Sequence, residues 1–155
     1  MRHGEAEASF SNDKQRQLTD RGRTQVADAA RQISSLLPVN QRLDLALVSP
    51  YKRTQQTFEV LSHTLAVEHR VNSELFTPMS SVAQASDMIH GYCDDTEQND
   101  RYILVVSHMP LVSFLTAELT TLDVPPIFST SAFAVIDIKP STLKGHLVTL
   151  NQQHA

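Results

Sequence analysis

The chain is poor in several things that would have pointed elsewhere. It has one cysteine, Cys93, so no disulfide framework can staple it, and a reducing compartment is expected. It has no basic excess: the formal charge of −4 argues against a nucleic-acid binder that works by neutralising many phosphates. It says nothing against a small cationic pocket in an acidic surface. No apolar run approaches the length of a membrane span, and no basic segment leading into an apolar one opens the chain. Internal repeats and low-complexity tracts are also missing. These absences read as a soluble cytosolic protein.

What is present is enough for one core. A chain of 155 residues with 41% hydrophobic content buries roughly two-thirds of its unfolded surface. Two short runs rich in branched residues, Leu43 to Val48 and Ile103 to Val106, each end at a serine followed within three residues by proline. That pattern predicts a buried strand, an N-cap region at Ser49 or Ser107, and a helix opened by proline. The segments Ala132–Ile138 and Leu147–Leu150 read as two more strands, and the turn Lys139–Gly145 between them as a hairpin, hence an antiparallel edge. Helical stripes fill the rest. They are Val26, Ala29/Ala30, Ile33 and Leu36/Leu37 behind a Thr19 cap; Phe58, Leu61 and Leu65; Val82, Ala85, Ile89 and Tyr92/Cys93; and Leu111, Leu115 and Leu119. Alternating strands and helices predict an α/β sheet layered by helices, with ligands gathering beyond the carboxyl ends of the strands.

At those ends the sequence places two histidines and two arginines: Arg2-His3-Gly4, Arg53 in Ser49-Pro50-Tyr51-Lys52-Arg53, and His108 in Ser107-His108-Met109-Pro110. A phosphoryl group carries about two negative charges on three oxygens, and its transfer depends mostly on positioning and electrostatic stabilisation. The guanidinium of Arg53, in the first turn of a helix, can fork onto two of those oxygens, and Arg2 adds a second fork. The start of the helix after His108 would add backbone N–H groups. A neutral imidazole can attack phosphorus, and two guanidinium groups should hold His3 neutral. Gly4 would let the backbone pass close beneath that ring, where a carbonyl could accept the other ring N–H. His108 would face the same phosphate as a donor.

These pieces resemble the signature of the histidine phosphatase superfamily, the phosphoglycerate-mutase-like fold. Further matches are Leu18-Thr19-x-x-Gly22-x-x-Gln25, Ser49-Pro50-x-x-Arg53-x-x-Gln56-Thr57 and Val106-Ser107-His108. Within the superfamily the chain is most similar to the short SixA-type phosphohistidine phosphatases, also over Ser107 to Val112 and Pro125 to Ala132. The resemblance implies a three-layer α/β/α sandwich with a mainly parallel sheet and an antiparallel edge. It implies a covalent phosphohistidine intermediate on His3, with Arg2, Arg53 and His108 completing the pocket and neither metal nor cofactor. The family places Arg-His-Gly after an apolar central strand, whereas only Met1 precedes it here. Residues 1–155 therefore read as a single histidine-phosphatase domain truncated at its N-terminus, with the core opened by the loss of that strand.

Glu74 is the one candidate proton donor, and Arg16 a candidate outer phosphate contact. The implied substrate is a phosphohistidine on a partner protein, the histidine-phosphotransfer domain of a phosphorelay, because no lid insertion closes over the site. Two other readings are open: a small-molecule phosphomonoesterase of the sugar-phosphate type, and a non-catalytic module that binds phosphorelay domains. His63, His69, His90, His146 and His154 show no ligand spacing and read as surface residues. Tyr51 and Phe128 read as pocket wall or core. Glu68, Asp94, Asp95, Glu97 and Asp100 read as a solvated loop face.

Overall fold

The computed structural model describes residues 1–8, 11–93, 100–139 and 141–153. Asp94, Asp95, Glu97 and His154 lie outside these. Strand β1 (Leu43–Val48) is central to a parallel sheet, flanked by β2 (Val67–Asn72) and β3 (Ile103–Val106). Strands β4 (Phe133–Ile138) and β5 (Gly145–Asn151) form the antiparallel hairpin. The helices are α1 (Asp20–Leu36), α2 (Lys52–Ser62), α3 (Val82–Tyr92) and α4 (Leu111–Leu119). The architecture is a three-layer α/β/α sandwich. Among the described residues no helix is long and apolar enough to cross a membrane.

The period of two along the strands sorts side chains between the outer layers. Ala46 and Val48 of β1, with Leu104 and Val106 of β3, pack with Val26, Ala29, Ala30 and Leu61 of α1 and α2. Leu45 and Leu47 pack on the other face with Ala85, Ile89, Leu111 and Leu115 of α3 and α4. Thr19 caps α1 by accepting from the Gly22 N–H at 2.9 Å.

The structure departs from the sequence reading in three places. First, β2 was not read as a strand, and Leu65, placed in a helical stripe, lies beyond the end of α2 at Ser62, in the core. Glu68 is therefore on an exposed edge strand rather than a loop. Second, Ser49 does not cap α2, whose N-cap residue is Tyr51 with no side-chain capping bond. Third, His90 is half-buried in α3 with its Nε2 shielded and unpartnered.

Nor does the hairpin join the parallel sheet directly. Residues 1–3 lie between β3 and β4 at their site ends. The Ser107 N–H donates to the Met1 carbonyl, the His3 N–H to the Ser107 carbonyl, and the Arg2 N–H to the Ala132 carbonyl, each at 3.0 Å. Beyond Met1 the strands diverge around a groove of about 630 Å³, lined by Met1, Ile103, Val105, Phe133, Val135 and Ile136 among others. The Met1 amino group faces this apolar space and donates to the Val105 carbonyl at 2.9 Å. Burial lowers its pKa to about 5.

Candidate active site

Three segments converge at the carboxyl ends of the strands: residues 2–4, the β1–α2 turn, and the β3–α4 turn. The backbone bonds of Met1, Arg2 and His3 fix the first. Gly4 then turns against α1 so closely that a Cβ on it would lie 2.7 Å from the Gly22 carbonyl oxygen and from Val26. Its glycine is thus demanded by the helix beside it, and its carbonyl lies beneath the imidazole to accept the other ring N–H, as the sequence suggested. Gly22 has the same cause, since a Cβ there would meet the Glu5 oxygen at 2.1 Å. The Gly4 N–H donates to the Thr57 hydroxyl of α2, and the Leu18 N–H to the Gln56 side chain, tying the first segment to the second.

His3 is buried with both ring nitrogens engaged. Nδ1 lies 2.7 Å from the Gly4 carbonyl, and the Arg53 Nε–H donates to Nε2 at 3.1 Å. A guanidinium cannot accept, so Nε2 must hold a lone pair and Nδ1 the proton. The pKa is lowered to about 3, first by burial and then by the charges of Arg53, Arg2 and Arg16, against the opposing bond to Gly4. At neutral pH His3 is a neutral imidazole whose free lone pair points at a cation.

Arg53, in the first turn of α2, is 3% exposed. Its other amino groups donate to the Asp13 carbonyl at 2.7 Å and to the Asp13 carboxylate at 3.2 Å, and its guanidinium carbon sits 5.0 Å from the centre of the Tyr51 ring. Arg2 donates to the Phe128 carbonyl at 2.7 Å, while its Nε is buried without a partner. Burial lowers the pKa of both arginines, Arg53 also feeling the opposing pull of Asp13. His108 is 1% exposed; its ring centre lies 5.1 Å from that of His3 and 4.9 Å from that of Tyr51. Its Nε2 is 2.7 Å from the Ser49 hydroxyl, and its Nδ1 is buried and unpartnered. Burial, then His3, Arg53 and Arg2, lower its pKa to about 2.

The structure thus brings Arg2, His3, Arg53 and His108 together, with Tyr51 as a wall. Phe128 lies in the core and reaches the site only through its carbonyl. Arg16 stands one layer out: it pairs with the Asp13 carboxylate at 3.0 Å and donates to the Glu7 carbonyl at 2.5 Å. Glu74 is exposed and lines a shallow cavity of about 390 Å³ with Lys14, Gln15, Tyr51, Lys52 and Gln55. The start of α4 offers less than expected, because Pro110 has no N–H and that of Val112 is bound to the His108 carbonyl. Sequence reasoning missed Asp13, the acidic partner of both Arg16 and Arg53. Nothing in its pattern marks it; it is an exposed residue in a single 3₁₀ turn. No group of three or more potential metal ligands exists among the described residues.

Comparisons with known proteins agree with this geometry. Residues 1–76 match the model of the histidine phosphatase superfamily (branch 1). The chain is 34% identical over 144 residues to the phosphohistidine phosphatase SixA of Escherichia coli (strain K12), covering 91% of this chain and 84% of that protein. It is 35% identical over 122 residues to the phosphohistidine phosphatase SixA homolog of Haemophilus influenzae, covering 77% and 74%. The solved structure of the protein histidine phosphatase SixA complexed with tungstate superposes with a TM-score of 0.86 at 30% identity, over 99% of this chain and 94% of that one. The chain belongs to the histidine phosphatase superfamily, in its SixA-type group.

Proposed function

We propose that this protein is a metal-independent phosphohistidine phosphatase that removes phosphate from a histidine of a partner protein, the histidine-phosphotransfer domain of a phosphorelay. One observation carries the reading: the unprotonated Nε2 of His3, set by the Gly4 carbonyl and the Arg53 N–H, is a nitrogen nucleophile inside a cationic pocket. The names and functions of the SixA relatives support it.

The chemistry proceeds in two displacements. A phosphoryl group enters between Arg2 and Arg53, whose positive charges neutralise its oxygens. Arg53 Nε–H passes from His3 to the phosphoryl oxygens as the Nε2 lone pair forms a bond to phosphorus. The phosphorus–nitrogen bond to the substrate histidine breaks, and that imidazole leaves with the electron pair and takes a proton from water. Water then attacks phosphorus on His3, its proton passing to solvent; the P–N bond breaks, and His3 recovers its lone pair beside inorganic phosphate. The net reaction is phosphohistidine plus water to histidine plus phosphate. An imidazole leaving group needs less acid help than an alkoxide. The reading therefore does not depend on a proton from Glu74.

The test is turnover of a phosphohistidine-bearing phosphotransfer domain. Rapid release of phosphate, unchanged by chelators, is expected. A folded protein inert toward that domain yet active on sugar phosphates would replace this reading with a small-molecule phosphatase.

A further inference from the structure

Ser49 looks from the sequence like a helix cap, but its hydroxyl is spent elsewhere. The residue is fully buried at the end of β1. Its oxygen accepts a long bond from the Tyr51 N–H at 3.4 Å and lies 2.7 Å from His108 Nε2. Among the described residues the hydroxyl proton has no other acceptor than that nitrogen. On the far side of the ring, Nδ1 is buried without any partner.

These facts choose between the two tautomers of His108. If Nε2 carried the proton, the Ser49 hydroxyl hydrogen would be stranded in a dry site, and Nδ1 would present a lone pair. A lone pair repels phosphoryl oxygens, which accept but do not donate. If Ser49 donates to Nε2, both costs vanish, and the ring carries a free N–H on Nδ1. Burial and the neighbouring charges keep the ring neutral, so the choice of tautomer matters.

We propose that Ser49 is a positioning residue for His108. Its hydroxyl donates to Nε2, fixing the Nδ1–H tautomer, so that His108 offers a neutral N–H donor to a phosphoryl oxygen held over His3. This rests on the functional reading above and deepens it, because it assigns the atom by which His108 meets the phosphoryl group.

The test uses the full chain labelled with ¹⁵N-histidine, as wild type, Ser49→Ala and Ser49→Thr, with tungstate as the oxyanion probe. In the wild-type complex the His108 nitrogens should show a protonated Nδ1 and an unprotonated Nε2. Ser49→Ala should mix the tautomers and lower kcat about tenfold with KM moved by less than about twofold, the signature of a contact made in the transition state. Ser49→Thr, which keeps the hydroxyl, should restore the tautomer and most of kcat. A wild-type His108 protonated on Nε2, or a folded Ser49→Ala with unchanged tautomer and kcat, would overturn the proposal. The tautomer is read without turnover, so failure to hydrolyse phosphohistidine would sink the functional reading and leave this question separately decided.

Discussion

The two ends of the gap between β3 and β4 behave very differently. At the site end, residues 1–3 bridge both strands with backbone hydrogen bonds, and His3 emerges in a fixed place. At the other end the strand edges face each other across an apolar groove, with the buried Met1 amino group at its head. The same segment thus organises the chemistry with three residues that join both strands at the site end. Site geometry and sheet stability are separable here. The catalytic pocket draws its order from local bonds to Ser107, Ala132 and Thr57 and from the close approach of Gly4 to Gly22, whereas along the groove β3 and β4 do not pair with each other among the described residues.

Perturbing the site end should have the largest effect. Arg53→Ala removes a clamp that touches both His3 and the phosphoryl group. It should lower kcat by about 10²–10³, or roughly 3–4 kcal/mol of transition-state stabilisation, with little change in melting temperature. An equal loss of stability would mean that the site and the sheet are not separable.

A second test uses pH. His3 and His108 have folded pKa values of about 3 and about 2, against 6.5 unfolded. Below pH 6.5 the unfolded chain binds protons that the fold does not, so stability is highest at neutral pH and falls on acidification. Each histidine contributes at most about 1.4 kcal/mol per pH unit between roughly pH 6 and pH 4. Thermal melts across that window should show the decline, and His108→Gln should flatten it. A melting temperature that rises as the pH falls would reverse the sign and contradict the buried neutral imidazoles.

The groove end supplies the third and smallest effect. A five-residue apolar extension fused to Met1 should lie parallel to β3, covering the buried amino group and pairing both edges. A gain of about 2 kcal/mol would raise the melting temperature of a chain this size by roughly 4–8 °C. The amides of β3 and β4 should exchange more slowly, and a glycine-serine extension of equal length should do neither. If both extensions behave alike, the groove does not accept a strand.

How much of this was legible beforehand depended on burial. β1, interrupted only by Asp44, and β3 showed as apolar runs because both faces of each are covered. β2 did not, because it is an edge strand with only Val67 and Val71 turned inward, four residues apart, a spacing that also suits a helix. Arg53 and His108 were readable because each follows a recognisable apolar run, and Arg2 and His3 because the Arg-His-Gly triplet precedes two such runs in a fixed order. Ser49 was visible, but its partner was not, since His108 is far away in sequence and only the parallel pairing of β1 with β3 brings them together. Asp13 was invisible for the same reason: its link to Arg53 exists only once the 3₁₀ turn that holds it packs against α2.

The most direct test of the central claim is to quench the reaction with a phosphohistidine-bearing domain within its first turnover. The phosphorylated residue is then mapped under alkaline conditions. The account predicts acid-labile phosphate on His3, lost entirely in His3→Ala together with turnover. Turnover that survives His3→Ala, or phosphate passing to water with no label on His3 at any time, would contradict it.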